Sequence, residues 1–264
     1  MKTLYTPPER VVIKVGTDVI TTPDGELDTH VMRELSRQIA AVRDRVGRIA
    51  LVTSGAVAAG RAVLKRLKRK DESIAELQKY AMVGQVPLLL RWSEFLQECN
   101  IIAGQILLTG KNFDSISDRH HLQSGLDEAF SDSEKIIPVV NENDPIATRE
   151  LKVSDNDEIA AHLAKIMGAQ RVVLLSKISG IEKVLGDANT VIPEVAAGSR
   201  ECEQYVVHTT STNGTGGADS KVRVGQNLSE AGVMTTVAHG RERDVLLRIL
   251  LQDERMGTTF LPRK

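Results

Sequence analysis

Residues 136–163 read IIPVVNENDPIATRELKVSDNDEIAAHL. The first five residues have the composition of a buried strand, and the run from Ile159 to Leu163 has helical spacing. Between them lie two Asn/Asp clusters, NEND at 141–144 and DND at 155–157. Amides and acids packed this densely cannot build a core. They form either a solvated loop or a polar site held by the strand and the helix on either side. A turn followed by a helix cap accounts for part of the second cluster without any function: Asp155 is placed to cap a helix over 158–167 that Gly168 stops.

The same alternation continues in both directions. Upstream, RVVIKVGTDVI (10–20) opens as a buried strand that Gly16 breaks, with Lys14 near its end. PDG (23–25) marks a turn, and Asp28 caps a helix carrying Val31, Leu35, Ile39 and Val42 at helical spacing. A strand over 49–53 runs into Ser54, Gly55 and a small-residue helix. KRLKRKD (65–71) reads as a solvated charge run. SIAE (73–76) has the form of a capping box, and the helix after it is expected to bend or break near Pro87. Strand 101–108 and helix 118–130 complete the approach. Downstream come a strand over 171–175, an irregular stretch over 179–197, a glycine-rich loop NGTGGADSK (213–221) leading into a helix, a strand over 233–237 and a last helix over 244–251. This order predicts an α/β fold, a mainly parallel sheet covered by helices on both faces.

Composition narrows the functional classes. The chain has 264 residues, 41% hydrophobic and 26% charged, as in globular proteins. A net charge of −1 and an aromatic content of 3% give no basic or stacking surface for nucleic acid. No apolar run is long enough to span a bilayer, and MKTLYTPPER (1–10) lacks the apolar core of a signal peptide, so a cytoplasmic location is expected. Cys99 and Cys202 lie far apart with no C-x-x-C spacing, and the six histidines show no H-x-x-x-H arrangement. Neither a disulfide framework nor a metal site is expected.

In a parallel sheet, ligands bind beyond the carboxyl ends of the strands. Four segments fall there: KVGT (14–17), TSG (53–55), the 141–157 stretch and GTGGADSK (214–221). Each alone is a weak signal, since Gly16 and Gly55 also suit turns. Together they suggest a phosphate site, because glycine admits close backbone approach and helix amides attract anions. The spacing matches neither a P-loop nor a dinucleotide fingerprint. Lys14 and Lys221 are placed to converge on a transferring phosphoryl group, with Asp157 holding both ammonium groups. Phosphoryl transfer needs mainly such positioning and charge neutralisation.

These motifs, together with TSGAVAAG (53–60), VGQ (83–85), QILLT (105–109) and PVVNEND (138–144), closely resemble the amino acid kinase family. The matches run in order from about residue 11 to about residue 260. TSGAVAAG and NEND favour its glutamate-phosphorylating branch. The resemblance implies a three-layer αβα sandwich forming one kinase domain. Its first part, to about residue 168, binds L-glutamate; its second, from about 169 to 264, binds MgATP. It implies Lys14, Asp157 and Lys221 as catalytic residues, and Ser54, Gly55, Asp144 and Asn156 at the glutamate. Lys14, Gly16, Thr215, Gly216, Gly217, Ala218, Asp219, Ser220 and Lys221 would lie along the nucleotide. It further implies ATP and Mg²⁺ as cofactors, a product on the route to proline, proline as feedback inhibitor, and a homodimer or homotetramer. No C-terminal RNA-binding-like (PUA) domain is expected.

The chain departs from that family at Ser176-Lys177, where Thr/Ser-Asp is usual at the nucleotide. It also departs at 181–187, which lacks the usual tyrosine and Asp-Pro, and at RHHLQSGL (119–126), which lacks an Asn-Ala pair. Two other readings stay open: a family kinase with a different acceptor, such as acetylglutamate, and a non-catalytic ligand sensor with this fold.

Overall fold

Strand β1 (Arg10–Val15) lies near the centre of the sheet, and its side chains define the two cores. Successive side chains on a strand point to opposite faces. Val11, Ile13 and Val15 enter one core and Val12 the other. Lys14 shares the parity of Val12 and is likewise buried. Strands β2 (Arg48–Thr53) and β5 (Arg171–Ser176) flank β1 in parallel register, with Lys14 opposite Val52 and Leu174.

The computed structural model describes residues 7–69, 71–131, 134–147, 155–184, 186–206 and 217–263. The remaining strands are β3 (Ile102–Leu108), β4 (Ile136–Glu142), β6 (Glu194–Val195), β7 (Met234–His239) and β8 (Thr258–Phe260). The sheet order is β3-β4-β2-β1-β5-β7-β8-β6, parallel from β3 through β7. Strand β8 then runs antiparallel to β7, and β6 pairs parallel with β8. An α/β fold with a mainly parallel sheet is what the alternation of patterns predicts. Strand β8 escapes that reading because three residues are too few to show a period.

Helices cover both faces. On one side α2 (Thr29–Arg43), α4 (Ile74–Gln97) and α9 (Val245–Leu250) supply Leu35, Ile39, Trp92 and Leu246 to the first core. On the other, α6 (Ile116–Ser131), α7 (Asn156–Met167) and α8 (Ala218–Glu230) supply Leu126, Leu163 and Leu228 to the second. Short helices α1 (Thr17–Ile20) and α5 (Gly110–Asp114), with α3 (Ala56–Val63), follow the strand ends. Local signals govern the helix starts. The Asp28 side chain accepts from Val31 N, and Ser73 and Glu76 form a capping box.

Of the bend or break expected near Pro87, the break does not occur: α4 runs through the proline as one helix of 24 residues. Its packing explains why. A Cβ at Gly84 would lie 1.9 Å from Ala56 O, and one at Gly60 would lie 1.8 Å from Tyr80 O. Helices α3 and α4 therefore touch backbone to backbone, and burial of Leu88 and Trp92 beyond the proline anchors the second half on the core. Tertiary packing offsets the lost proline N–H bond.

Candidate active site

Helix α7 starts at Asn156, two residues earlier than the apolar spacing indicates, which places Asn156 and Asp157 in its first turn. Asp155 is the cap, its carboxylate accepting from Asp157 N at 3.1 Å. The cap reading and the site reading of this cluster thus both describe the molecule, with neighbouring residues taking the two parts.

Asp157 is completely buried. The Lys14 ammonium lies 2.6 Å from its Oδ1 and the Lys221 ammonium 3.0 Å from its Oδ2. Lys14 reaches it from β1 by the strand parity noted above, and Lys221 from the first turns of α8. Both lysines are buried. Burial alone would push the Asp157 carboxyl up, but the two lysines hold it well below the usual carboxylate range. Burial would likewise lower Lys14, but the carboxylates around it, Asp157 first and then Asp155, together raise the ammonium above its ordinary value. Asp155 behaves oppositely: burial, and then the Asp157 charge, push its carboxyl up. Its Oδ2 accepts from the Ser220 hydroxyl, tying α7 to α8.

The backbone beside this trio is bare. A Cβ at Gly16 would lie 3.2 Å from Leu175 O, a tight contact, and 3.8 Å from Lys14 Nζ, in ordinary contact with the ammonium. Gly217, the residue before α8, has no side chain to cap the helix, and amides at a helix N-terminus attract anions. Thr215 and Gly216 lie outside the described residues.

Asn156 heads a second, uncharged network. Its amide nitrogen donates to Ser54 Oγ at 2.9 Å and to Asn141 Oδ1 at 3.0 Å. Asn141 in turn donates to Gln85 Oε1 at 2.8 Å, and Glu142 N donates to both Asn141 Oδ1 and Asn156 Oδ1. Ser54 sits between β2 and Gly55, whose φ of +107° turns the chain into α3. Asp144 stands in the turn after β4, where Ile146 N and Ala147 N donate to Asn143 O. Gln85 and Asn141 are the site residues the sequence reading left out. Their motifs are visible in VGQ and NEND, but their link to Asn156 is a long-range contact that no spacing reveals. Lys177, just after β5, lies 3.2 Å from Asp18 Oδ2 of α1.

Two ammonium groups gathered on one buried carboxylate, beside the N-terminus of α8 and the Asn156 hydrogen-bond network, suit a phosphotransferase. The comparisons agree. The profile of the amino acid kinase family matches residues 9–237, and the chain belongs to that family. Its relatives point to one branch of it. The chain is 35% identical over 256 residues to a glutamate 5-kinase of Bacteroides thetaiotaomicron, covering 96% of this chain and 70% of that protein. It is 37% identical over 257 residues to that of Proteus mirabilis, covering 96% of this chain and 68% of that one. With that of Symbiobacterium thermophilum it shares 34% over 255 residues, covering 96% of this chain and 95% of the relative. No described helix is long and apolar enough to cross a membrane.

Proposed function

We propose that the protein transfers the γ-phosphoryl group of MgATP to the side-chain carboxylate of L-glutamate, giving glutamyl 5-phosphate and ADP on the route to proline. The observation that carries this reading is the buried Lys14–Asp157–Lys221 trio, taken with the likeness to glutamate 5-kinases. A carboxylate is already an ionised nucleophile at neutral pH, so no general base is required. One carboxylate oxygen forms a bond to γ-phosphorus as the bond to the β,γ-bridging oxygen breaks, and ADP leaves with that electron pair. The obstacle is the approach of two anions. Lys14 and Lys221 neutralise the transferring group, and Asp157 fixes both ammonium groups before substrate arrives.

The first-turn amides of α8 and the bare backbone at Gly16 would take the nucleotide phosphates. Mg²⁺ would arrive on those phosphates with its own water and neutralise their charge. Among the described residues no group of three or more His, Cys, Asp or Glu side chains is arranged to hold a metal by itself. Ser54, Gly55, Asn156 and Asp144 would receive glutamate, with Asn141 and Gln85 setting the Asn156 amide. This divides the chain near residue 168 into an acceptor part and a nucleotide part, with Lys14 reaching across.

The test is hydroxamate formation from glutamate, MgATP and hydroxylamine, run beside acetylglutamate and carbamate as acceptors. Glutamate is expected to turn over, and Lys14→Ala or Lys221→Ala to lose about 10²–10³ in rate while remaining folded. Turnover only with another acceptor, or near-normal rates in either variant, overturns the reading. Proline titration of the same assay and the mass in gel filtration test the expected feedback inhibition and homo-oligomer.

A further inference from the structure

Three of the elements that deliver side chains to the candidate site meet again at their other ends. Strand β1 carries Lys14 near its carboxyl end and starts at Arg10, while β2 leads into Ser54 and starts at Arg48. Helix α7 starts with Asn156 and Asp157 and closes on Lys165 and Met167. These far ends, with α6, surround a cavity of about 450 Å³ at the amino edge of the sheet. That volume suits a small molecule. Its charged lining is three cations, Arg10, Arg48 and Lys165, against one carboxylate, Asp127. Phe130 and the buried Met167 add an apolar wall.

Structural duties account for part of this arrangement. Arg10 Nη1 donates to Met167 O at 3.0 Å and so caps the C-terminus of α7. Lys165 donates to Asn227 Oδ1. Neither duty explains Arg48, a second arginine turned to the same space. Its guanidinium lies 5.9 Å from the Phe130 ring centroid and 3.4 Å from Asp127 Oδ1, a long and partly exposed pair. A pair of that kind contributes little and exchanges readily for a ligand oxyanion. Two arginines lining one cavity beside an apolar wall suit a carboxylate or phosphate carried on a compact apolar body.

We propose that this cavity is an effector site for a small organic oxyanion. Occupancy acts on the candidate active site through the elements the two share, above all α7, whose 12 residues span about 18 Å between the ends. The binding half of this proposal stands apart from the proposed reaction. The coupling half rests on nucleotide binding at the first site.

Benzoate and phenyl phosphate are the probes, and the ¹³C-methyl resonance of Met167, assigned with Met167→Leu, is the reporter. A saturable shift is expected with at least one probe. It should persist in Lys14→Ala, whose side chain does not line the cavity, and weaken by about tenfold or more in Arg48→Gln/Lys165→Gln. Gln123→Glu, which places a carboxylate on the cavity lining and removes no cation, should weaken it too. That variant serves if the double variant fails to fold. At saturating probe, the Kd of a non-hydrolysable ATP analogue should change by about fivefold or more. No saturable Met167 shift, or a shift that survives both variants, overturns the site. Probe binding that leaves the Kd of the bound analogue unchanged overturns the effector role. Failure of the analogue to bind even without probe counts against the proposed reaction and the coupling built on it, and leaves the Met167 result standing.

Discussion

Asn156 and Asp157 are neighbours in one helical turn, yet they head networks built on opposite principles. Asn156 joins a chain of amides and a hydroxyl running from Gln85 through Asn141 to Ser54. Asp157 joins two ammonium groups that are buried with it. The neutral chain can lose a member and leave one polar atom short of a partner. The charged trio is less tolerant, because all three ions are buried and both ammonium groups share the Asp157 carboxylate. Position and charge are thus handled by separate groups on a single rigid element, which suits a site that must orient one anion while neutralising another.

The largest expected difference is in stability. Asp157→Ala leaves two ammonium groups buried without their shared carboxylate and should cost about 3–5 kcal/mol. Asn156→Ala breaks neutral hydrogen bonds and should cost about 1–3 kcal/mol. Urea unfolding of both variants compares them directly, and equal costs would erase the distinction.

The pH dependence sharpens the same contrast. The Asp157 carboxyl is depressed in the folded chain. Its contribution is therefore complete above the unfolded carboxylate value near ~3.9 and fades as pH falls through the lower folded value. Lys14 is raised, so its contribution is complete below the unfolded lysine value near ~10.4 and fades as pH rises through the higher folded value. Asp155 has the reverse sign for a carboxyl. Its raised folded value favours the protonated form, and stability is lost as pH climbs through that value. At neutral pH, Asp155→Asn should cost less than Asp157→Asn. The gap between wild type and Asp157→Ala should shrink in acid, whereas the gap for Asn156→Ala stays level. Chemical denaturation across the acid range reads both slopes.

A smaller effect tests what supports the neutral chain. Gln85 follows Gly84, where α4 meets α3. Alanine is ordinarily the better helix former by about 1 kcal/mol. At this position its methyl would lie 1.9 Å from Ala56 O, so the helices must part, and Gly84→Ala should cost about 1–3 kcal/mol. The separation displaces Gln85, so the KM for the acceptor should rise more than that for the nucleotide. A uniform loss would show that α4 supports both networks alike.

How much of this was legible in the sequence follows from the range of each interaction. The DND cluster shows its cap and its place at a strand–helix junction, because both are local. Convergence of Lys14 and Lys221 on Asp157 follows from the parallel order, which brings strand ends to one edge. The Gln85–Asn141–Asn156 chain does not follow, since amide partners 56 residues apart leave no periodic trace. Gly60 and Gly84 read as motif glycines, and only the α3–α4 crossing shows that a backbone occupies the place of each missing side chain. Pro87 suggests a break that does not occur for a related reason: its local penalty is visible and the packing that offsets it is not. Strands β6 and β8, of two and three residues, fall below any pattern length.

The smallest effect concerns Lys177, which stands where the family usually carries an acidic residue. Its ammonium pairs with Asp18 Oδ2 at 3.2 Å and is about half exposed, with a side-chain accessibility of 46%. Screening by water should hold the stability cost of Lys177→Ala within about 1 kcal/mol. Nucleotide affinity is the more sensitive measure. Asp18 lies two residues after Gly16, on the side where phosphates are proposed to enter, and among the described residues its buried Oδ1 has no hydrogen-bond partner. Removing Lys177 leaves that carboxylate facing an incoming anion, and a loss of up to about tenfold in ATP affinity is expected. A cycle with Asp18→Asn separates two origins for this loss. Recovery of affinity in the double variant means that Lys177 acts by neutralising Asp18, so that the acidic group has changed place and brought its own counter-ion. A double variant as weak as Lys177→Ala means that the lysine itself grips the nucleotide, adding a third cation to the charged side of the site.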